Sequence, residues 1–236
     1  MNNDVDRHRR WLFGAVAACS FTPVLPALAD ERGKGMSTKA EAEAPVPPTE
    51  DLMREHGVLR RILLIYQAGA RRLGQGEDME SAIFVDAAET MRDFIHDYHE
   101  KLEENHLFPR FKKAGRMVPL VEVLIAQHAA GRKLTDQILQ IAPTSRTDSG
   151  RRKIMIDAMT ASMTLYQPHA AREDTDIFPT LRSLVTPNEF DALGETFEKE
   201  ELARFGADGF EQMVKKVEAI EKRLGTDDLT KYTPKI

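Results

Sequence analysis

Two stretches of the chain decide the fold: HEKLEENHLFP at residues 99–109 and HAAREDTDIFP at residues 169–179. Both follow the pattern His-x-x-x-Glu-x-x-x-x-Phe-Pro, and the second begins seventy positions after the first. Residues four apart in a helix lie on one face, one turn apart, so each stretch presents an imidazole and a carboxylate to the same point. Both stretches are therefore predicted to be helical segments that carry metal ligands.

The repeat extends to two further histidines. His56 and His128 lie 72 positions apart, and each is followed four residues later by an arginine, Arg60 and Arg132. The chain thus reads as two similar helix pairs, in which the first helix offers one histidine and the second offers a histidine and a glutamate. Together they provide four imidazoles and two carboxylates: His56, His99, Glu103, His128, His169 and Glu173.

This set of donors is too large for one tetrahedral zinc ion. It suits two first-row metal ions, with imidazoles as terminal ligands and carboxylates as bridges. Without a metal, burial of two charged glutamates would destabilise the folded protein, and the pKa of their carboxyl groups would rise. A single histidine on an apolar stripe is usually a hydrogen-bonded core residue. Here, however, four of the seven histidines fall on four different apolar stripes, which favours the metal site.

The repeat also indicates which other polar residues near these segments are not metal ligands. The seventy-residue shift pairs three of them with different residue types: His96 with Tyr166, Glu104 with Asp174, and His106 with Asp176. We therefore exclude His96, Glu104 and His106 from the predicted ligands. His96 and Tyr166 lie about one turn from the ligands, and with Arg132 they are candidates for hydrogen-bonding partners around the metal site.

The apolar residues recur at helical spacing and predict an all-α protein. Strand-like runs rich in Val, Ile and Thr are missing from the sequence. Four long helices with short connections predict an antiparallel up-down-up-down four-helix bundle. The second helix is expected to end at Phe108-Pro109, because proline disfavours helix at the residue before it. On the fourth, Ile154, Ala158, Leu165 and His169 are expected to face inward. The predicted spans are 49–73, 77–106, 118–141 and 151–175.

Two additional helices are predicted at the C-terminal end. Thr186-Pro187-Asn188-Glu189 has the features of a capping box, and Asp208 is expected to start the last helix in the same way. Neither helix contains histidine, so both are expected to pack outside the bundle. The predicted organisation is an export signal at 1–29, a flexible leader at 30–48, the bundle at 49–180, a helical extension at 181–225 and a tail at 226–236.

The first 29 residues have the composition of an export signal. Basic residues precede an apolar run that ends in Ala-Leu-Ala at 27–29, and RRWLF at 9–13 resembles a twin-arginine signal. We expect export to the periplasm. The alternatives are an ordinary secretory signal and a lipoprotein box, VAAC at 16–19, which would anchor the protein to a membrane through Cys19. The apolar residues that continue beyond Cys19 argue against the anchor.

With these residues identified, the chain resembles the hemerythrin-like family, specifically its His-His-Glu cation-binding branch. The resemblance implies an antiparallel four-helix bundle that encloses a non-haem di-iron centre. It also implies that the six residues named above are the iron ligands, with Glu103 and Glu173 as bridges. The matching pieces are Glu55-His56, His99 to Pro109, Gln127-His128 with Arg132, and His169 to Pro179.

Two departures from the family's oxygen carriers bear on function. The carriers have a fifth histidine one turn after the third-helix histidine, where this chain has Arg132. They also use an aspartate five residues after the last histidine, whereas this chain has Glu173 at four. Losing an imidazole leaves a coordination position open or lets another group fill it. The sequence therefore argues against simple reversible oxygen carriage.

The predicted function is that of a periplasmic di-iron protein that binds oxygen, nitric oxide or peroxide at an open iron site. One alternative is a peroxidase or oxidase of the same fold, which would need a proton donor such as His96, Tyr166 or Arg132. Others are an iron-handling stress protein without turnover and a metal-free helical interaction module. A ligand-binding role is favoured over catalysis. The net charge of −5 gives no indication of a nucleic-acid partner.

Overall fold

The structure, a computed structural model, describes residues 46–145 and 148–236. Within these two ranges every regular element is a helix and no strand occurs, which confirms the all-α prediction. The export signal, the lipoprotein box with Cys19 and the leader up to residue 45 lie outside the described residues. In the described part, no helix is both long and apolar enough to cross a membrane.

Four long helical segments carry the predicted ligands. Helix α1 covers Pro48–Gly74, and the C-cap residue Gln75 and the left-handed Gly76 follow it. Helix α3 covers Val118–Ser145, which is longer than expected because Pro143 is accommodated inside it. The other two long segments are composite, with π-helical turns inserted between α-helical ones.

Helix α2 begins at Ser81, and helix α4 begins at Ser149. In both, a π-helical turn starts at the glutamate predicted to bridge the metals, and such turns are frequent at functional sites. The α-helical parts of α2 are Ser81–Thr90, Glu100–Leu102 and Phe108–Ala114, and its π-helical parts are Met91–His99 and Glu103–Leu107. The parts of α4 are α-helical Ser149–Arg172, π-helical Glu173–Ile177 and α-helical Phe178–Leu181.

The prediction that Pro109 ends the second helix is wrong. The helical path continues through Pro109 to Ala114, and through Pro179 to Leu181 in α4. In a regular α-helix, a proline ring clashes with the carbonyl four residues earlier and removes a hydrogen bond. Here a π-helical turn ends two residues before each proline, and the proline is the second residue of the next α-helical part. In that position the missing N–H is tolerated.

The inward face predicted for α4 is partly wrong. Ile154 is 42% exposed and Leu165 is only half-buried, whereas Met155 and Tyr166 are fully buried. The buried face of α4 is set by its contacts with both α1 and α3, so it includes the polar Tyr166 and leaves Ile154 in solvent. The expected Ala158 and His169 do lie on the buried face.

The four long helices contact one another in order around the site. Helix α1 packs against α2 and α4, and α3 packs against the same two helices. Two further helices follow, α5 at Pro187–Phe205 and α6 at Gly209–Leu224. Helix α5 packs on α1, and α6 packs on α1 and α2.

The start of α5 agrees with the sequence, and the start of α6 does not. Thr186 and Glu189 form the predicted capping box, with proline at the first helical position. Asp208, however, is left-handed and makes no capping hydrogen bond. Its role is taken by Glu201, whose carboxylate accepts the backbone N–H of Phe210 at 2.7 Å. The helix therefore starts at the expected place by a contact that lies outside the local sequence.

Candidate metal centre

The six predicted ligands lie together in one buried cluster, each no more than 3% exposed. They form two overlapping sets of four donors, and the donor atoms within each set lie within 4.8 Å of one another. Both glutamates belong to both sets, as expected of carboxylates that bridge two metal ions. One set is His56, His99, Glu103 and Glu173; the other is His128, His169, Glu103 and Glu173.

The histidines of each set face each other through their Nε2 atoms. The Nε2 atoms of His56 and His99 lie 3.1 Å apart, and those of His128 and His169 lie 3.2 Å apart. The Oε2 atom of Glu173 lies 3.4 Å from His56 Nε2 and 3.1 Å from His169 Nε2. One carboxylate thus touches both imidazole pairs, so all these atoms converge on one small volume.

The other ring nitrogen of every histidine in the cluster has a hydrogen-bond acceptor. A carboxylate or amide oxygen accepts this bond, so the imidazole holds a proton on Nδ1 and directs Nε2 to the centre. Such partners fix the ring orientation of metal-bound histidines. The acceptors are Asp174 for His56 at 2.7 Å, Glu55 for His99 at 2.6 Å, Glu104 for His128 at 3.0 Å and Gln127 for His169 at 2.9 Å.

The cluster requires positive charge at its centre. Among the described residues, neither carboxylate oxygen of Glu103 or of Glu173 has a hydrogen-bond partner, and both side chains are fully buried. Burial and then the Glu173 carboxylate raise the pKa of Glu103 to about 8. Burial disfavours charge on His56, but Asp174 and Glu173 raise its pKa to about 9. A metal cation would satisfy the same atoms, so the residues present fit a metal site.

Two arginines hold the outer carboxylates. Arg60 forms an ion pair with Asp174, and Arg132 forms one with Glu104 at 2.6 Å. Both arginines lie four residues after a histidine of the cluster, so the sequence repeat extends to this outer layer. Burial opposes ionisation of Asp174, but His56 and Arg60 outweigh it and lower its pKa.

A buried polar network adjoins the His128 side of the cluster. Glu100 is 1% exposed, pairs with Arg132 at 2.7 Å and accepts the hydroxyl hydrogen of Tyr166 at 2.8 Å. His96 Nδ1 lies 2.9 Å from Glu100, and its Nε2 lies 2.8 Å from the hydroxyl of Thr135. Glu100 and Glu104 also form a candidate cation cluster with His128, but the guanidinium of Arg132 neutralises it.

The three residues predicted to be hydrogen-bonding partners around the site, Arg132, Tyr166 and His96, differ in how they contact the cluster. Arg132 acts on His128 through Glu104. The hydrogen bonds of Tyr166 go to the Glu100 network, while its ring packs edge-on against His169 with centroids 5.6 Å apart. His96 belongs to the same network and has no hydrogen bond to a predicted ligand in the described part of the chain.

The residues excluded by the repeat lie outside the ligand sets. His106 is half-buried, and its Nε2 lies 2.8 Å from Glu200 on α5. Glu104 lies within hydrogen-bond distance of the outer nitrogen of His128 and does not face the centre. Neither residue belongs to the two four-donor sets.

The Nδ1 acceptors were not predicted, although the sequence contained a signal for them. Glu55 and Gln127 directly precede His56 and His128, and Glu104 and Asp174 directly follow the two shared glutamates. These positions belong to the same repeat. Glu100 has no such counterpart, since it aligns with an alanine, and only the fold brings it to Tyr166.

Comparison with known proteins agrees with the geometry. The profile described as Hemerythrin HHE cation binding domain matches residues 48–181, a range that contains all six clustered residues. Uncharacterised proteins from Mycobacterium bovis and from two strains of Mycobacterium tuberculosis are each 44% identical to the chain over 222 residues. The match covers 93% of this chain and 85% of each relative. No solved structure matches the chain.

Proposed function

The chain belongs to the hemerythrin HHE cation-binding family, and from this premise we propose that it is a di-iron protein that binds oxygen, nitric oxide or peroxide. Family membership and the buried histidine–glutamate cluster make it a metal-binding protein. The observation that carries the proposal of two metals is the sharing of Glu103 and Glu173 by two four-donor sets. In this proposal Glu103 and Glu173 would help to hold both metals, and each pair of histidines would hold one of them.

The proposed bundle is the antiparallel up-down-up-down arrangement of α1 to α4. It is supported by the cyclic order of contacts, in which each of the four helices packs against two others, and by the short connections between them. This arrangement brings one histidine from each helix to a common centre.

Imidazole and carboxylate donors suit iron, and iron of this type commonly keeps positions open for an added ligand. When bound, the iron pair supplies one-electron redox chemistry. The protein's own residues hold the metals, orient the imidazoles and exclude bulk water. Arg132 stands where an oxygen carrier would offer another imidazole, and its guanidinium pairs with Glu100 and Glu104. It therefore adds no donor to the centre, which supports an open position.

A peroxidase or oxidase is the second candidate. It is favoured by the phenol of Tyr166, which donates to the buried Glu100 while its ring packs against His169. A phenol and a carboxylate in this position could hold or transfer a proton close to the metals. Storage of iron without turnover is the third candidate, and the experiment below separates the three.

We propose the periplasm as the location, with export through the twin-arginine-like signal. The support is confined to the sequence of residues 1–29. Replacement of Arg9 and Arg10 by lysine should leave the protein in the cytoplasm. Unchanged export would contradict the twin-arginine route, and acyl-chain labelling that requires Cys19 would favour the lipoprotein anchor.

The functional test uses the mature chain loaded with ferrous iron without oxygen. Iron per chain is measured first, and the visible spectrum is then followed on addition of oxygen, nitric oxide or peroxide. A reversible charge-transfer band with one of these ligands is the expected result. Steady loss of peroxide would favour the enzyme, and bound iron without any spectral response would favour storage. Iron content below one per chain would contradict the di-iron proposal.

A further inference from the structure

The segments that join α2 to α3 and α4 to α5 carry basic residues and no acidic ones. Residues 105–121 and 177–188 contain no aspartate or glutamate, although the whole chain has a net charge of −5. Of the lysines and arginines in these two segments, all but Arg110 are exposed, and Arg110 is half-buried. We call this set the basic corner; it consists of Arg110, Lys112, Lys113, Arg116 and Arg182.

The fold brings the two segments together beside the start of α5. Hydrogen bonds from Thr186 lower the pKa of Glu189, and the nearby charges of Arg110 and Lys113 lower it further. The guanidinium of Arg182 lies over the ring of the next residue, Phe190, 4.3 Å from its centroid. Basic residues from both segments therefore surround the same helix start.

The charges of the basic corner are not neutralised within the described part of the chain. None of its five side chains forms an ion pair there; Arg110 donates to the backbone oxygen of His106, and Arg182 contacts a ring. Arginines elsewhere, such as Arg60 and Arg61, pair with carboxylates. The basic corner is thus a surface with spare positive charge on an acidic protein, and it favours a partner with a negative surface.

Two aromatic rings lie between the metal cluster and this surface. The ring of Phe108 stacks on His128, with centroids 5.7 Å apart, and the ring of Phe178 stacks on His56 at 5.5 Å. Both phenylalanines are 1% exposed, and the proline that follows each of them is exposed. Each half of the cluster is therefore separated from a surface residue of these segments by one buried ring.

The cluster also lies closer to the basic corner than to the far end of α3. This helix covers Val118–Ser145 and begins directly beyond the corner. At 1.5 Å per residue, His128 lies about 15 Å from the start of α3 and about 26 Å from its end. The rate of electron transfer between two proteins falls steeply with distance, so a redox partner would react fastest from this side.

We propose that the basic corner is the docking surface for an acidic one-electron carrier protein that reduces the metal centre. This inference rests on the proposed di-iron function and names the kind of partner that would supply its electrons. The carrier would lose one electron for each ferric ion reduced to ferrous, and no covalent bond would form or break. Phe108 and Phe178 would act as positioning residues that keep ligand histidines in contact with the route to the surface.

An anionic membrane is a less suitable occupant of the same surface. Helices that bind in the membrane interface combine basic residues with large apolar side chains that enter the bilayer. Among the described residues, no exposed large apolar side chain lies in residues 105–121 or 177–188. The surface offers charge without such an anchor, which favours a protein partner.

Docking is tested with a plant-type [2Fe–2S] ferredoxin, an acidic one-electron carrier. Its binding to the iron-loaded protein is measured by calorimetry at low ionic strength. The double variant Lys112→Glu with Lys113→Glu should weaken binding at least about tenfold. The control, Lys133→Glu with Lys215→Glu, changes the net charge equally at two exposed lysines elsewhere and should weaken it less than about threefold. If the first variant does not fold, Lys112→Gln with Lys113→Gln removes the same charges.

Electron transfer is tested by mixing reduced ferredoxin with the oxidised, iron-loaded protein without oxygen and following the visible absorbance. The lysine variant should raise the ferredoxin concentration needed for half the limiting rate and leave that rate unchanged. Phe108→Leu should lower the limiting rate several-fold and leave ferredoxin affinity unchanged. Phe84→Leu is its control, because Phe84 is an equally buried phenylalanine of α2 that packs beside Gly69, and it should change neither quantity.

Iron per chain is measured for every variant. Ferredoxin binding that the two double variants weaken equally, in fully iron-loaded protein, would overturn this inference alone. Phosphatidylglycerol vesicles that bind through Lys112 and Lys113, with no binding of ferredoxin, would overturn it in favour of a membrane. Fewer than one iron in the unmodified protein would instead overturn the proposed function.

Discussion

The Nε2 atoms of His56 and His99 lie 3.1 Å apart, while the Nδ1 atom of each ring is within hydrogen-bond distance of a carboxylate, Asp174 and Glu55 respectively. This contact needs a positive charge between the rings, because the outer acceptors keep a proton on Nδ1 and leave the inner lone pairs facing each other. In the metal-free protein, a proton on His56 supplies that charge, since its pKa is raised to about 9 despite burial. A metal ion bound by both rings would replace the proton.

Loss of a shared glutamate should affect both metals. Glu173→Ala is expected to remove more than half of the bound iron, because this side chain contacts both imidazole pairs. His169→Ala should remove about half, since His169 belongs to one set only. Iron per chain after anaerobic loading measures both effects. His106→Ala is the control and should retain full loading; equal losses in all three variants would show that the ligand assignment is wrong.

The outer carboxylates should contribute to metal affinity without touching the metals. Asp174→Ala removes the acceptor of His56 and should weaken metal binding by roughly 10- to 100-fold, the usual effect of losing such a partner. Asp176→Ala is the matched control, because Asp176 lies in the same π-helical turn and pairs with Arg172 on the outside. Competition with a chelator gives both affinities. Equal weakening in the two variants would indicate a general loss of structure.

Metal binding should release protons and strengthen as pH rises. Without metal, the pKa of Glu103 is raised to about 8 by burial and Glu173, and that of His56 to about 9, so both groups hold protons at neutral pH. Burial opposes charge on His128, but Glu103 and Glu104 raise its pKa to about 10. Because metals bind the deprotonated groups, the apparent affinity should increase between pH 6 and pH 8.

Calorimetric titration in two buffers of different ionisation enthalpy measures the number of released protons. Manganese or zinc can serve as the probe, since neither requires exclusion of oxygen during the titration. Metal affinity that is independent of pH, with no proton release, would contradict the assignment of these three residues as ligands.

The close approach of Tyr166 to α3 depends on Gly131. A Cβ atom at Gly131 would lie 1.8 Å from the Tyr166 hydroxyl, so Gly131→Ala must displace the phenol from Glu100. We expect the free energy of unfolding to fall by about 1–3 kcal/mol, as for other overpacked cores. Gly57→Ala is the control, because no atom lies within 4 Å of the added methyl group, and it should raise stability by up to about 1 kcal/mol. Chemical denaturation measures both changes, and equal stability of the two variants would contradict the packing.

The clustering of the six predicted ligands could be predicted because it depends on local rules. Spacing by four residues places His169 and Glu173 on one helix face, and the repeat extends that rule to the other half of the centre. The acceptors Glu55 and Asp174 follow the same repeat, but their role depends on how neighbouring helices face each other. The sequence alone does not show that Glu55 on α1 lies within hydrogen-bond distance of His99 on α2.

Other features depended on backbone geometry and on tertiary contacts. A sequence rule ends a helix before Pro109, yet the π-helical turn that precedes it lets the chain continue. Aspartate is common at the N-cap of helices, but Asp208 makes no capping hydrogen bond. The carboxylate of Glu201, from another helix, accepts the backbone N–H of Phe210 instead. The packing of α6 against α1 and α2 likewise depends on contacts between distant segments.

The central claim is that two metals share Glu103 and Glu173, and anomalous scattering at the iron absorption edge tests it most directly. Crystals of the iron-loaded protein should show two anomalous peaks roughly 3–4 Å apart, as in other two-metal sites. One peak should lie beside His56 and His99, the other beside His128 and His169. A single peak, or a peak held by Glu100 and Glu104 instead, would contradict the account.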